Sequence, residues 1–229
     1  MKSILLINGN DPKAILNSTL YGADAIAFDL YQMVPQENKD AARILVQEAL
    51  GFMDFGTVPP FVRVNPLGSG LEQDLEVVCS GKPAALLLPL ADAGSVAKCD
   101  ELLAAAEKKH NLPVGGIKLL PQLESIAAIE DVGEVLVASP RVIGAIFGAQ
   151  NLLSEMGVKE VDQMQLAYAR SRVVLACLRL KLPAYDRAWL NVKDMKGFEA
   201  DARHAHDLGY KGKVAAGGNQ VAEINKLFA

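Results

Sequence analysis

Aromatic side chains are scarce, at 6% of this 229-residue chain, although 51% of its residues are apolar. So aliphatic a core suits parallel strands buried beneath helices better than a two-sheet sandwich. Cysteine is also sparse. Cys79, Cys99 and Cys177 lie far apart, which argues against a disulfide framework or a zinc knuckle and fits reduced thiols. No basic cluster occurs, the net charge is −4 and the pI is near 5.5, so nucleic acid is not expected as a partner. The longest charge-free stretches, such as 142–154, fall short of the roughly 18 apolar residues of a membrane helix. Met1-Lys2-Ser3 runs straight into an apolar segment without signal-peptide anatomy. The expected location is the cytoplasm, with no membrane partner.

What the chain does have is alternation. Short apolar runs at 4–8, 25–30, 61–65, 85–89, 117–122, 142–148, 184–189 and 213–216 read as strands. Amphipathic stretches at 39–50, 94–110, 126–136, 163–180 and 195–208 read as helices between them. Several strand runs are apolar throughout, as expected where both faces are covered. Eight strands alternating with helices in this length predict an α/β fold, a single (β/α)8 TIM barrel over residues 1–229. An open doubly wound sheet is the alternative. It lacks its glycine fingerprint, because Asn8-Gly9-Asn10-Asp11-Pro12 follows the first strand.

In such a barrel the chemistry sits at the carboxyl ends of the strands. Those ends carry Asn8, Asp29, Arg63 with Asn65, Pro89, Glu124, Gln150 with Asn151, Asp186 with Arg187, and Asn219 with Gln220. Arg63 lies in Phe61-Val62-Arg63-Val64-Asn65, a strand too apolar for an idle guanidinium. Its planar fork suits a carboxylate or a developing oxyanion, or else a structural ion pair with Asp29 or Glu124. Glu124 reads equally as a metal ligand, a base, or an acid placed at a helix N-terminus. Asp29 has helix capping as its plain reading.

Other features carry less. His204 and His206 are two apart on a predicted helix and cannot form a metal pair. His110 ends a helix. Gly68-Ser69-Gly70 is only a fragment of a dinucleotide loop. Gly217-Gly218 suits an anion nest or a tight turn.

Taken in order, several segments resemble one family along nearly the whole chain. They are Gly22-Ala23-Asp24-Ala25 with Phe28-Asp29-Leu30, Lys39-Asp40-Ala41-Ala42-Arg43, and Arg63-Val64-Asn65-Pro66-Leu67-Gly68. Ala138-Ser139-Pro140-Arg141-Val142, Phe147-Gly148-Ala149 and Tyr168-Ala169-Arg170-Ser171-Arg172 follow. Gly209-Tyr210-Lys211-Gly212-Lys213 and Asn219-Gln220-Val221 complete the set. The chain resembles the citrate lyase β-subunit-like branch of the HpcH/HpaI aldolase/citrate lyase family.

That resemblance implies a barrel, often trimeric, which makes or breaks a carbon–carbon bond in a 3-hydroxy acyl thioester. The implied substrates are citryl, citramalyl or malyl thioesters on coenzyme A or acyl-carrier protein, and the implied products are a 2-keto acid and an acetyl-type thioester. It implies Mg2+ held by two carboxylates and an arginine at the oxygen that gains charge. Glu124 matches the first metal carboxylate and Arg63 matches the arginine. Arg63, Glu124 and Asp29 are therefore the candidate catalytic residues, and Arg63, Asn65, Asn219 and Gln220 the candidate substrate contacts.

The departures from the family pattern concentrate in the mouth. The second metal carboxylate is Asn151 here, within Gly148-Ala149-Gln150-Asn151-Leu152. Tyr31-Gln32 replaces an acidic pair, Leu90 a lysine and Gly217-Gly218 a His-Pro, and the family's longer C-terminal segment is not matched. An amide oxygen brings no charge to a hard cation, so a weakened Mg2+ site at Glu124 and Asn151 is expected. A non-catalytic paralogue that acts as a binding or subunit-interaction protein is the rival expectation.

Overall fold

The computed structural model describes residues 1–158 and 163–229, with side chains from Leu166 onward in the second span. The order is β1 (Ser3–Asn8), α1 (Pro12–Leu16), β2 (Ala25–Asp29), α2 (Lys39–Phe52), β3 (Pro60–Arg63), α3 (Leu71–Val78), β4 (Ala85–Leu88), α4 (Ala93–Lys109) and β5 (Lys118–Leu123). It continues with α5 (Ile126–Glu130), α6 (Val132–Val137), β6 (Ala145–Phe147), α7 (Gln150–Glu155), α8 (Gln163–Arg179), β7 (Ala184–Asp186), α9 (Met195–Leu208), β8 (Gly212–Ala215) and α10 (Gly218–Leu227). The strands close into a barrel in sequence order. All pairs are parallel, and Ser3 lies beside Lys213 where β1 meets β8.

Period-two alternation builds two cores. Ile4, Leu6, Ala25, Ala27, Phe61, Leu87, Ile146 and Tyr185 fill the barrel interior. Alanines face one phenylalanine and one tyrosine there, so few aromatics suffice. The intervening residues, such as Leu5, Ile26, Phe28 and Val62, pack against the helices. All three cysteines are buried and free. Burial pushes their thiols up to about 12, which leaves them unreactive.

The predicted elements are present, with corrections at their ends. The run at 142–148 pairs as β6 only over Ala145–Phe147, while Val142 forms an isolated bridge with Leu119. The run at 184–189 stops at Asp186, and the chain from Arg187 to Trp189 leaves the ladder. The helix expected at 126–136 breaks at Asp131, whose φ of −102° and ψ of 24° start a second helix. Ser125 caps α5 by accepting from the Ala128 N–H.

Three buried polar clusters pin helices to strands. Arg141 donates to Glu107, Asp100 and the Ile117 carbonyl. Lys39 donates to the Leu30 and Tyr31 carbonyls and to Asn65 Oδ1. Behind β7 and β8, Arg170 and Lys213 both bind Asp186 and Asp201. These four charges are fully buried, so removing one partner would leave an uncompensated ion. Several segments that carry the family resemblance are thus braces of the fold.

Candidate active site

The inward phase of β2, β3, β5 and β7, continued to their carboxyl ends, delivers Asp29, Arg63, Glu124 and Arg187 to one mouth. There Arg63, Glu124 and Arg187 line a cavity of about 350 Å3, with Asp29 behind Arg63. Leu6, Leu87, Ile146 and Val214 form its apolar floor, and Arg63, Gln122, Glu124, Gln150 and Arg187 supply its polar atoms.

Arg63 is buried. Its Nη2 donates to Gln32 Oε1 at 3.0 Å, and its Nη1 lies 3.8 Å from Asp29 Oδ2. The guanidinium rests 5.1 Å from the Tyr31 ring centre, and its buried Nε has no partner among the described residues. Asp29 accepts from the Tyr31 and Met33 N–H groups. It organises the turn that carries Tyr31 and Gln32, rather than capping a helix. Burial and the Glu124 charge push the Tyr31 phenol up, against the pull of Arg63.

Glu124 points into the mouth, not along α5, because Ser125 already caps that helix. Glu124 Oε1 accepts from the Leu90 N–H at 3.1 Å and Oε2 accepts from the Asn151 amide at 2.8 Å. Leu90 holds a φ of 50° to present that N–H, a conformation that costs about 1 kcal/mol or more outside glycine. Gly148 has a matching reason to be glycine, since a Cβ there would stand 2.9 Å from Glu124 Cγ. Burial pushes the Glu124 carboxyl up; Arg63, the Leu90 N–H and the Asn151 amide oppose the shift.

Asp29, Arg63, Glu124 and Asn151 are thus brought together. Asn65, Asn219 and Gln220 are engaged elsewhere. Asn65 donates to the Leu30 carbonyl and to Asp74. Gln220 accepts from the Ala216 N–H and donates to the Trp189 carbonyl, while Asn219 donates to the Val192 carbonyl. Gly218 makes room for Tyr21, whose ring would meet a Cβ at 2.1 Å. That close approach gives Gly217-Gly218 a packing role.

A family profile described as HpcH/HpaI aldolase/citrate lyase matches residues 2–217. The chain belongs to this family. It is 29% identical over 231 residues to the citrate lyase subunit beta of Leuconostoc mesenteroides subsp. cremoris, covering all of this chain and 76% of that one. It is 26% identical to the mitochondrial citramalyl-CoA lyase of Mus musculus, covering 99% of this chain and 71% of that one. The solved structure of protein CitE from Mycobacterium tuberculosis, in complex with magnesium, acetoacetate and coenzyme A, superposes with a TM-score of 0.82. That match has 21% identity and covers 99% of this chain and 80% of that one.

Family membership poses the question of Mg2+, and the donor set of this mouth does not fit it. Among the described residues Glu124 is the sole acid lining the cavity, and both its oxygens already accept protein hydrogen bonds. Asn151 turns its NH2 group, not its oxygen, toward Glu124. Among the described residues no three His, Cys, Asp or Glu side chains gather as a metal site. The sequence puts Arg187 at a strand end and Trp189 inside a predicted strand, with no role for either; both line the cavity. The available signal is an arginine two residues before the chain's single tryptophan, just past a strand.

Proposed function

We propose that this chain is a carbon–carbon lyase that cleaves a 3-hydroxy acyl thioester of the citryl, citramalyl or malyl class. The products are a 2-keto acid and an acetyl-type thioester. The observation that carries this reading is one buried carboxylate, Glu124, sharing a small apolar-floored cavity with Arg63. A cavity of about 350 Å3 suits the acyl portion, with the coenzyme A or acyl-carrier-protein arm lying outside.

Glu124 takes the proton of the 3-hydroxyl, and that oxygen's electrons form the keto acid carbonyl. The bond between C2 and C3 breaks, and its electron pair moves onto the thioester as an enolate. Arg63 offers its Nε–H to the oxygen that gains charge. Glu124 returns the proton to C2, which closes the balance. Asp29 positions Arg63 and the Tyr31–Gln32 turn. The Mg2+ requirement is weakened, because Asn151 supplies an amide donor where a carboxylate would bind the cation.

The chain assembles as a homo-oligomer, a trimer by resemblance, through the exposed side chains of Val137, Leu175 and Leu178 on α6 and α8. Arg170, which interrupts that apolar helix in sequence, is turned inward onto Asp186 and Asp201. The replacement of a carboxylate by Asn151 favours a second reading, a non-catalytic binding protein. Release of keto acid from citryl, citramalyl and malyl thioesters by wild type and Arg63→Lys decides between them. Turnover lost in the variant supports the lyase, and absence of turnover in wild type supports the rival.

A further inference from the structure

Two arginines look into the same cavity from opposite walls. Arg63 ends β3 and Arg187 follows β7, four strands apart in a closed ring of eight. That separation is diametric. Glu124 at the end of β5 stands midway along the arc between them.

Two buried arginines that brace the fold, Arg141 and Arg170, engage all three guanidinium nitrogens. Arg141 commits Nε, Nη1 and Nη2 to Asp100, Glu107 and a carbonyl. Arg170 commits all three to Asp186 and Asp201. Arg187 does not. Its Nη2 donates to Asp201 Oδ1 at 2.9 Å, while its buried Nε has no partner among the described residues. Asp201 also binds Lys213 and Arg170, so it is not dedicated to Arg187. The Arg187 guanidinium lies 5.5 Å from the Trp189 ring centre, and Trp189 lines the same cavity. Stacking on an aromatic face fixes a guanidinium while leaving its edge free to donate. A buried donor without a partner is unfavourable, and an anionic ligand relieves it.

We propose that Arg187, held by Asp201 and Trp189, is a second anion-binding group of this site. With no thioester present, Arg63 Nε is free for a carboxylate as well, so the acid bound alone carries two anionic groups, one on Arg63 and one on Arg187. A four-carbon 2-keto dicarboxylate fits that demand, whereas a 2-keto monocarboxylate leaves one arginine unanswered. The inference rests on the reading of this cavity as the acid-binding site, but its test needs no turnover.

Titration calorimetry of the full chain with oxaloacetate and with pyruvate, without metal or thioester, reads the preference directly. Wild type binds oxaloacetate about tenfold or more tighter than pyruvate, the size of one charge-assisted contact. Arg187→Met brings that ratio to about one by weakening oxaloacetate far more than pyruvate. Arg187→Lys keeps the charge but loses the fork, so its ratio falls between. It also carries the test if the methionine variant fails to fold. Equal affinity in wild type overturns the proposal, as does failure of both acids to bind. A variant that loses both acids by one factor overturns it too. The lyase reading stands or falls separately, on cleavage of thioesters.

Discussion

The Asn151 amide donates to the Glu124 carboxylate across 2.8 Å, so these two side chains satisfy one another directly. Two carboxylates at that spacing would repel and call for a cation between them. Asn151→Asp, alone or with Gln150→Glu, should therefore raise Mg2+ affinity roughly ten- to a hundredfold by calorimetry. The variant should also melt lower than wild type in EDTA and recover when Mg2+ is added. Tight Mg2+ binding by wild type, unchanged in the variant, contradicts this account of Asn151.

Arg63 is the group that meets developing charge, and its planar fork is already fixed by Gln32 and Tyr31. Arg63→Lys should lower kcat by about a hundred- to a thousandfold while the melting temperature stays near that of wild type. A loss confined to KM would place Arg63 in ground-state binding instead.

The eight strands were legible because period-two alternation survives wherever the ladder is regular. The strand ends were not. Arg187, Ala188 and Trp189 fall within the predicted strand run 184–189, yet they leave β7 to line the cavity. Only the tertiary position of Gln220, which holds the Trp189 carbonyl, explains that departure. Arg63 and Glu124 could be picked out because charges in apolar strand ends are costly without partners. Asn65 carried the same signal for a different reason. It ties Leu30 to Asp74 under the mouth, a contact between segments far apart in sequence.

Acid stability has a specific source in Asp201. Burial alone would raise its carboxyl, but Lys213, Arg170 and Arg187 hold it far below the usual range. A depressed folded-state value stabilises the fold above the ordinary carboxylate value of about 4, and the gain is lost as pH falls through the folded value. Wild type should thus keep this contribution through pH 4. Asp201→Asn should cost about 3–5 kcal/mol in denaturant titrations at pH 7, and the gap from wild type should shrink only in stronger acid. A variant as stable as wild type at pH 7 contradicts this role.

Light scattering at micromolar concentration should give three times the 24.5 kDa chain mass. Leu175 and Leu178 are more than half exposed, at 62% and 52%. Replacing both with Glu should shift the protein to monomer, since burying two carboxylates in an apolar contact is unfavourable. A monomeric wild type contradicts the assembly.

The most direct measurement is keto acid release from citryl, citramalyl and malyl thioesters, each followed across a Mg2+ titration in wild type and Asn151→Asp. The account predicts turnover of at least one thioester by wild type with little response to Mg2+, and a response that saturates at low Mg2+ in the variant. No cleavage of any thioester by wild type at any Mg2+ concentration would contradict it.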